Sequence, residues 1–237
     1  MRLTGKIALV TGAGRGIGRA IACALAAEGA AIVLASRTQS ELDAVKSEIE
    51  SAHGRAICIP TDITSEQSVA KLFDATEREC GRLDILVNNA GVGFFAPVAK
   101  LNAADFDTMW NVNVRGAYLC AQRAAALMTR QQSGVIVNIG SLAGKNSFVG
   151  GAGYAATKWA LRGFADCLRL EVREQNVRVV SIFPGSVATQ FHPTSGDEAR
   201  AHKIIHPADV ADAVLLAVTM PERTMVSEID IRPTNPK

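Results

Sequence analysis

Ile7-Ala8-Leu9-Val10-Thr11-Gly12-Ala13-Gly14-Arg15-Gly16-Ile17-Gly18 stands near the start of the chain, and its reading decides the fold. The run from Ile7 to Val10 is apolar at every position, as in a strand covered by helices on both faces; a half-exposed strand alternates. The glycines behind it let the chain turn tightly, let a phosphate approach the backbone and let the next helix pack close to the sheet. That helix would open at Gly16 and present unpaired N–H groups and a positive dipole end to an anion such as a pyrophosphate. The spacing is GxxxGxG, not the commoner GxGxxG. Its place between the first strand and the first helix is what lifts it above an ordinary tight turn.

Working outward, the pattern of strand followed by helix repeats along the chain. Strands are expected at Ile7–Thr11, Ala31–Ser36, Arg55–Ile59, Ile85–Asn88, Val135–Ile139, Arg178–Phe183 and Glu228–Ile231. Helices are expected at Gly16–Glu28, Ser40–Ala52, Glu66–Cys80, Ala104–Gln131, Gly153–Gln175 and Pro207–Met220. Such alternation implies right-handed crossovers and a doubly wound, Rossmann-type parallel α/β sheet of about seven strands, with helices on both faces. No linker, repeat or change of composition divides residues 1–237, so one domain is expected. The longest irregular stretch, residues 186–206, follows a strand end and is expected to be a substrate lid.

Composition excludes several function classes. The 237 residues are 48% hydrophobic and 20% charged, values of a globular chain. A net charge of +2 offers little attraction to nucleic acid or an anionic membrane. No apolar run is long enough for a membrane helix, and no signal peptide is read at Met1–Lys6. Cys23, Cys58, Cys80, Cys120 and Cys167 are scattered, odd in number and without CxxC spacing. They read as thiols in a reducing cytoplasm. His202 and His206 are four apart, but Pro207 follows and no acid stands at metal-site spacing, so no metal is expected.

The end of the second strand discriminates between cofactors. Folds that prefer NAD place an acid there for the ribose 2′-hydroxyl. This chain has Ser36-Arg37 instead. A planar arginine fork at Arg37, with Arg15 approaching from the glycine turn, suits a 2′-phosphate and favours NADP(H). Further on, Tyr154 and Lys158 lie four residues apart at the start of a helix and project from one face. A phenol titrates near ~10, so a neighbouring ammonium that stabilises the phenolate would make it a usable acid and base. Ser141 ends the fifth strand, at the carboxyl edge where α/β sites assemble.

Taken together, these residues resemble the short-chain dehydrogenase/reductase family over essentially the whole chain. The resemblance rests on Thr11-x-x-x-Gly16-x-Gly18, Asp62, Asn88-Asn89-Ala90-Gly91, Asn113, Ser141, Tyr154-x-x-x-Lys158, and Pro184-Gly185 with Thr189. It implies that Tyr154 is the general acid in reduction and that Ser141 orients the carbonyl. Lys158 would bind the nicotinamide ribose and lower the Tyr154 pKa, and Asn113 would hold a water of the proton relay. Asp62 and Ile63 would contact adenine, Asn89 with Ala90 and Gly91 the ribose region, and Val187 and Thr189 the carboxamide beside Pro184 and Gly185. Gly12, Gly14, Arg15, Ile17 and Gly18 complete the nucleotide contacts.

The expected activity is therefore reversible reduction of a small carbonyl compound to a secondary alcohol. An alternative is reduction of 3-oxoacyl groups on acyl carrier protein. The long helices end in Gln131-Gln132 and Gln175 where such relatives carry arginines, although Arg130 and Arg173 are adjacent. A sugar-nucleotide epimerase would usually need an added C-terminal domain, and a non-enzymatic NADP(H) sensor would tolerate loss of Ser141 or Tyr154. Phe94, Phe95, Leu142, Phe148 and Phe191 could line an apolar pocket. In Gly153–Gln175 the apolar residues, Trp159, Leu161, Phe164 and Leu170 among them, spread over more than twice the roughly 100° stripe that covering a sheet needs. The surplus implies a homo-oligomer, a tetramer or a dimer.

Overall fold

Seven strands form the sheet: β1 (Ile7–Thr11), β2 (Ala31–Ser36), β3 (Arg55–Pro60), β4 (Ile85–Asn88), β5 (Gly134–Ile139), β6 (Val177–Pro184) and β7 (Glu228–Ile231). The computed structural model describes residues 1–191 and 203–235. The strands pair in the order β3-β2-β1-β4-β5-β6-β7, and every pair is parallel. Each expected strand is present, with ends shifted by one residue at most.

Alternate strand residues feed two cores. Ala8 and Val10 of β1, with Ile32 and Leu34 of β2, pack with α1 (Gly16–Ala27), α2 (Gln39–Ser51) and α7 (Pro207–Thr219) through residues such as Ile21, Leu42 and Val214. Leu9 and Val33 face the other way, onto α3 (Glu66–Cys80), α5 (Ala117–Gln131) and α6 (Ala152–Val172) through Leu72, Leu119 and Leu168. Burial on both faces is the reason the strands are apolar at successive positions.

The helix expected over Ala104–Gln131 is not continuous. It is α4 (Ala103–Trp110) and α5, joined by a π-helical turn at Asn111–Gly116. The wider turn carries Asn113 into the interior, where its side-chain oxygen accepts from Val92 N at 2.8 Å and its Nδ2 donates to Val92 O at 2.8 Å. Gly116 leaves room on the same turn for Ile63: a Cβ there would stand 2.6 Å from Ile63 Cδ1. Turns of this kind inside helices commonly mark functional sites.

Strand order reverses between β1 and β4, so the chain leaves them on opposite sides and a crevice opens at their carboxyl ends. All seven strands run the same way, and everything that follows a strand therefore gathers at that one edge. Of the expected lid, residues 192–202 lie outside the described residues. The flanks at 186–191 and 203–206 are clipped together, Val187 bridging Ile205 while Ala188 N donates to Ile205 O at 2.8 Å. No helix among the described residues is long and apolar enough to cross a membrane.

Candidate active site

The crevice is a cleft of about 1760 Å³ that runs from the glycine turn to the loop after β6. That exceeds the roughly 1,000 Å³ upper range for a single small ligand and leaves room for a dinucleotide beside a substrate. At its floor, Thr11 and Asn89 join the ends of β1 and β4. Thr11 Oγ1 accepts from Asn89 N at 3.0 Å and from Ala90 N at 3.2 Å, and Asn89 Nδ2 donates to Thr11 O at 2.9 Å and Gly12 O at 3.2 Å. Asn89 lines the cleft, and its side-chain nitrogen also shapes the glycine turn. Gly12 (φ +63°) and Gly16 (φ +54°) sit in the left-handed region, and a Cβ on Gly18 would run into the carbonyl of Gly12. Arg15 caps α1 without a side-chain hydrogen bond to the helix, so Gly16 and Ile17 open the helix directly onto the cleft.

Ser36 and Arg37 lie at one end of the cleft, with Asp62 and Ile63 beside them. Ser36 Oγ is buried there and has no hydrogen-bond partner among the described residues. A buried hydroxyl without a partner costs free energy unless a ligand supplies one. With two arginines nearby and a glycine turn too close-packed for side chains, the residues at this end fit the adenosine half of a phosphorylated dinucleotide. Asp62 accepts from Thr64 N at 2.9 Å, which holds the loop after β3, and Ile63 packs against Gly116.

One participant escaped the sequence reading. Glu41, in the first turn of α2, lines the cleft, and its Oε1 lies 3.9 Å from Arg15 Nη1. The acid absent from the strand end thus stands on the next helix. An acid in a helix's first turn is ordinary dipole chemistry, so the sequence carried no distinguishing signal.

Ser141, Tyr154 and Lys158 converge at the other end. Ser141 lies just beyond β5 and caps a short 3₁₀ turn, its Oγ accepting from Ala143 N at 3.1 Å. Its hydroxyl also interacts with the Tyr154 phenol. Tyr154 and Lys158 occupy the first two turns of α6 and are buried. Lys158 Nζ donates to Ile139 O at 3.1 Å and sits 5.7 Å from the Tyr154 ring centre. Asn113 reaches the same constellation through Thr157: its Nδ2 lies 3.1 Å from Thr157 Oγ1, which donates to Tyr154 O at 2.7 Å. Its side chain is therefore committed to protein partners. Pro184, Gly185, Val187 and Thr189 line the facing wall, with Thr189 Cγ2 3.4 Å from where a Gly16 Cβ would be. Leu142, Phe95, Phe148 and Phe191 line the cleft as expected, whereas Phe94 does not.

Burial dominates the electrostatics. It pushes the Tyr154 phenol up to about 12, with the neighbouring Ser141 hydroxyl drawing it back. It pulls the Lys158 ammonium down to about 8. The protein chain by itself therefore does not produce the depressed Tyr154 pKa expected from the ammonium; desolvation of the ring outweighs the Ser141 hydrogen bond. Among the described residues no group of histidine, cysteine and carboxylate side chains could hold a metal ion. His206 is engaged in capping α7, and His192 and His202 lie outside the described residues.

Fold and site together define an oxidoreductase of the Rossmann type. Residues 6–200 match the model of the short chain dehydrogenase family, and the chain belongs to that family. It is 38% identical over 231 residues to an uncharacterized oxidoreductase of Staphylococcus aureus, covering 98% of each chain. It is 37% identical to the sepiapterin reductase of Chlorobaculum tepidum, covering 97% of this chain and 96% of the relative. A crystal structure of a metagenomic short-chain oxidoreductase in complex with NADP superposes with a TM-score of 0.88 at 38% identity, covering 99% of this chain and 100% of that one.

The buried lysine makes stability depend on pH. Below about pH 8 the native state holds the Lys158 proton against burial, and the full cost is present. Between about 8 and the ordinary 10.5 the unfolded chain keeps a proton that the native state has lost, so native stability rises with pH. Lys158→Met removes the cost. Urea unfolding should show the variant more stable by on the order of 2 kcal/mol at pH 7, with the gap narrowing as pH approaches 10.

Proposed function

We propose that the protein is a cytoplasmic, NADP(H)-dependent reductase that interconverts a small-molecule ketone and a secondary alcohol, with Tyr154 as general acid and base. The observation that carries this reading is the convergence of the Tyr154 phenol, the Ser141 hydroxyl and the Lys158 ammonium on the cleft that begins at the glycine turn. The nucleotide, when bound, supplies or accepts the hydride. Ser141 donates a hydrogen bond to the substrate carbonyl oxygen and fixes its direction. Tyr154, protonated at neutral pH, gives its proton to that oxygen as negative charge accumulates there. Lys158 stays mostly cationic below about pH 8, binds the nicotinamide ribose and favours the phenolate once the proton has left.

Arg37 and Arg15 would take the 2′-phosphate, with Ser36 Oγ as a hydrogen-bonding partner beside them. Arg15 then exchanges the Glu41 carboxylate for a phosphate. The NADP in the complex of the metagenomic relative and the reductase activity named for the Chlorobaculum relative support this assignment. The 3-oxoacyl carrier-protein alternative draws less support. Arg130 is paired with Glu77 at 3.1 Å at the end of α5.

The protein is further proposed to be a homo-oligomer. Tyr118 of α5 and Trp159 and Leu170 of α6 are exposed, and Tyr118 packs edge-on against Phe164 at 5.7 Å across the two helices. A Cβ at Gly163 would meet nothing within 4 Å, which leaves this face open to close approach. Two such helices can meet their symmetry mates in an isologous contact.

Three outcomes follow. Tyr154→Phe should lower kcat about 10²- to 10⁴-fold in an NADPH-absorbance assay while the NADPH Kd stays within about threefold. Arg37→Asp should reverse the NADPH-over-NADH preference in kcat/KM; an unchanged preference would remove Arg37 from the phosphate site. Light scattering at micromolar concentration should give a mass near ~100 kDa, whereas the 25.0 kDa of a single chain would rule out the oligomer.

A further inference from the structure

Two phenylalanines pack against Tyr154 and a third extends the cluster. Phe95 meets the Tyr154 ring at 5.2 Å between centres and 61°, and Phe191 meets it at 5.8 Å and 56°. Phe95 in turn contacts Phe148 at 6.0 Å and Phe191 at 6.5 Å. The rings come from separate parts of the chain: the loop after β4, the loop after Ser141 and the loop after β6.

Two glycines seat them. A Cβ at Gly93 would lie 2.9 Å from both Phe191 and Phe95 ring atoms, and one at Gly151 would overlap the Phe148 ring. The rings therefore rest against backbone, which holds their positions more firmly than packing against flexible side chains would. They are nonetheless not core residues. Phe148 is 48% exposed and Phe191 37%, so each holds an apolar ring partly in water at the cleft. That exposure is unfavourable until something covers it.

Charge narrows the occupant. Among the described residues lining this end, the ionised side chains are Lys158, turned to the Ile139 carbonyl, and Arg232, which leans on Asp230 at 3.4 Å. Among the described residues a substrate carboxylate or phosphate would find only Arg232 here, already drawn to Asp230. A flexible acyl chain is served best by adaptable aliphatic side chains, whereas tilted rings present both electron-rich faces and positive edges.

We infer that the substrate is an uncharged ketone carrying an aromatic ring, held among Phe95, Phe148 and Phe191 with its carbonyl at Ser141 and Tyr154. This deepens the ketone-reductase reading and rests on it. The ring of the substrate packs edge-to-face on the phenylalanines and removes their exposed surface from solvent.

The test compares 4-phenylbutan-2-one with 4-cyclohexylbutan-2-one, whose carbonyl groups are alike and whose rings match in carbon count. Plain burial favours the saturated ring, which is the more hydrophobic, so a preference for the phenyl compound reports ring–ring contact. With NADPH, kcat/KM should be about tenfold higher for the phenyl ketone, and the ratio should fall toward one in Phe148→Leu and in Phe95→Leu. The same phenyl ketone bearing a para-carboxylate should be reduced more slowly than the unsubstituted one. Equal rates, or a preference for cyclohexyl, would overturn the aromatic site while leaving the ketone-reductase reading intact. If neither ketone is reduced although NADPH binds, that reading fails. The Kd ratio of the two ketones for the NADPH complex, measured by calorimetry, then decides the pocket, and a ratio of one or a tighter cyclohexyl compound overturns it.

Discussion

Hydrogen bonds between Thr11 and Asn89 tie together the ends of β1 and β4, the two strands between which the order of the sheet reverses. That tie, with Ala13 N donating to Ala35 O at 3.2 Å, fixes the floor of the glycine turn. Asn89 Nδ2 satisfies carbonyls that the turn leaves without strand partners, and Thr11 Oγ1 does the same for two amide groups arriving from β4. Because the sheet is wholly parallel, the same edge carries the loops after β5 and β6. One local arrangement therefore places the start of α1, Ser141 and the wall at Gly185 around a common cleft.

The end of the cleft at Tyr154 and Lys158 is electrostatically expensive. A lysine and a tyrosine are buried side by side, and each is pushed toward its neutral form. Folding tolerates this because the surrounding contacts are overdetermined: Lys158 has the Ile139 carbonyl, and the backbone of Tyr154 is held through Thr157 by Asn113. A Cβ at Gly144 would stand 2.9 Å from the Lys158 carbonyl, so the turn that follows Ser141 is pressed onto α6. The serine and the tyrosine thus share one rigid support, the condition for placing two hydrogen-bond donors at one oxygen.

Asn113 shows how a single polar residue reshapes a helix. Its side chain is buried and is satisfied by Val92 and Thr157, and it sits in the π turn that widens the helix. The loop after β4, which carries Phe95 into the cleft, is anchored by the same bonds.

Much of this was legible in the chain. Uninterrupted apolar runs such as Ile7–Val10 exist because each strand is buried twice, so strand positions and the parallel class followed from local pattern alone. The glycine turn, Ser36-Arg37 and the Tyr154–Lys158 spacing were equally readable, because each depends on near neighbours in sequence. The break at Asn113 was not, since the partners of its side chain, Val92 and Thr157, lie in other parts of the chain. Nor was Glu41, whose role depends on α2 folding back beside Arg15. The direction of the Tyr154 shift was misjudged for a related reason: spacing places an ammonium nearby, but desolvation depends on everything packed around the ring. Short-range chemistry is written in sequence, whereas burial, helix register defects and contacts across the cleft are settled only when distant segments close on one another.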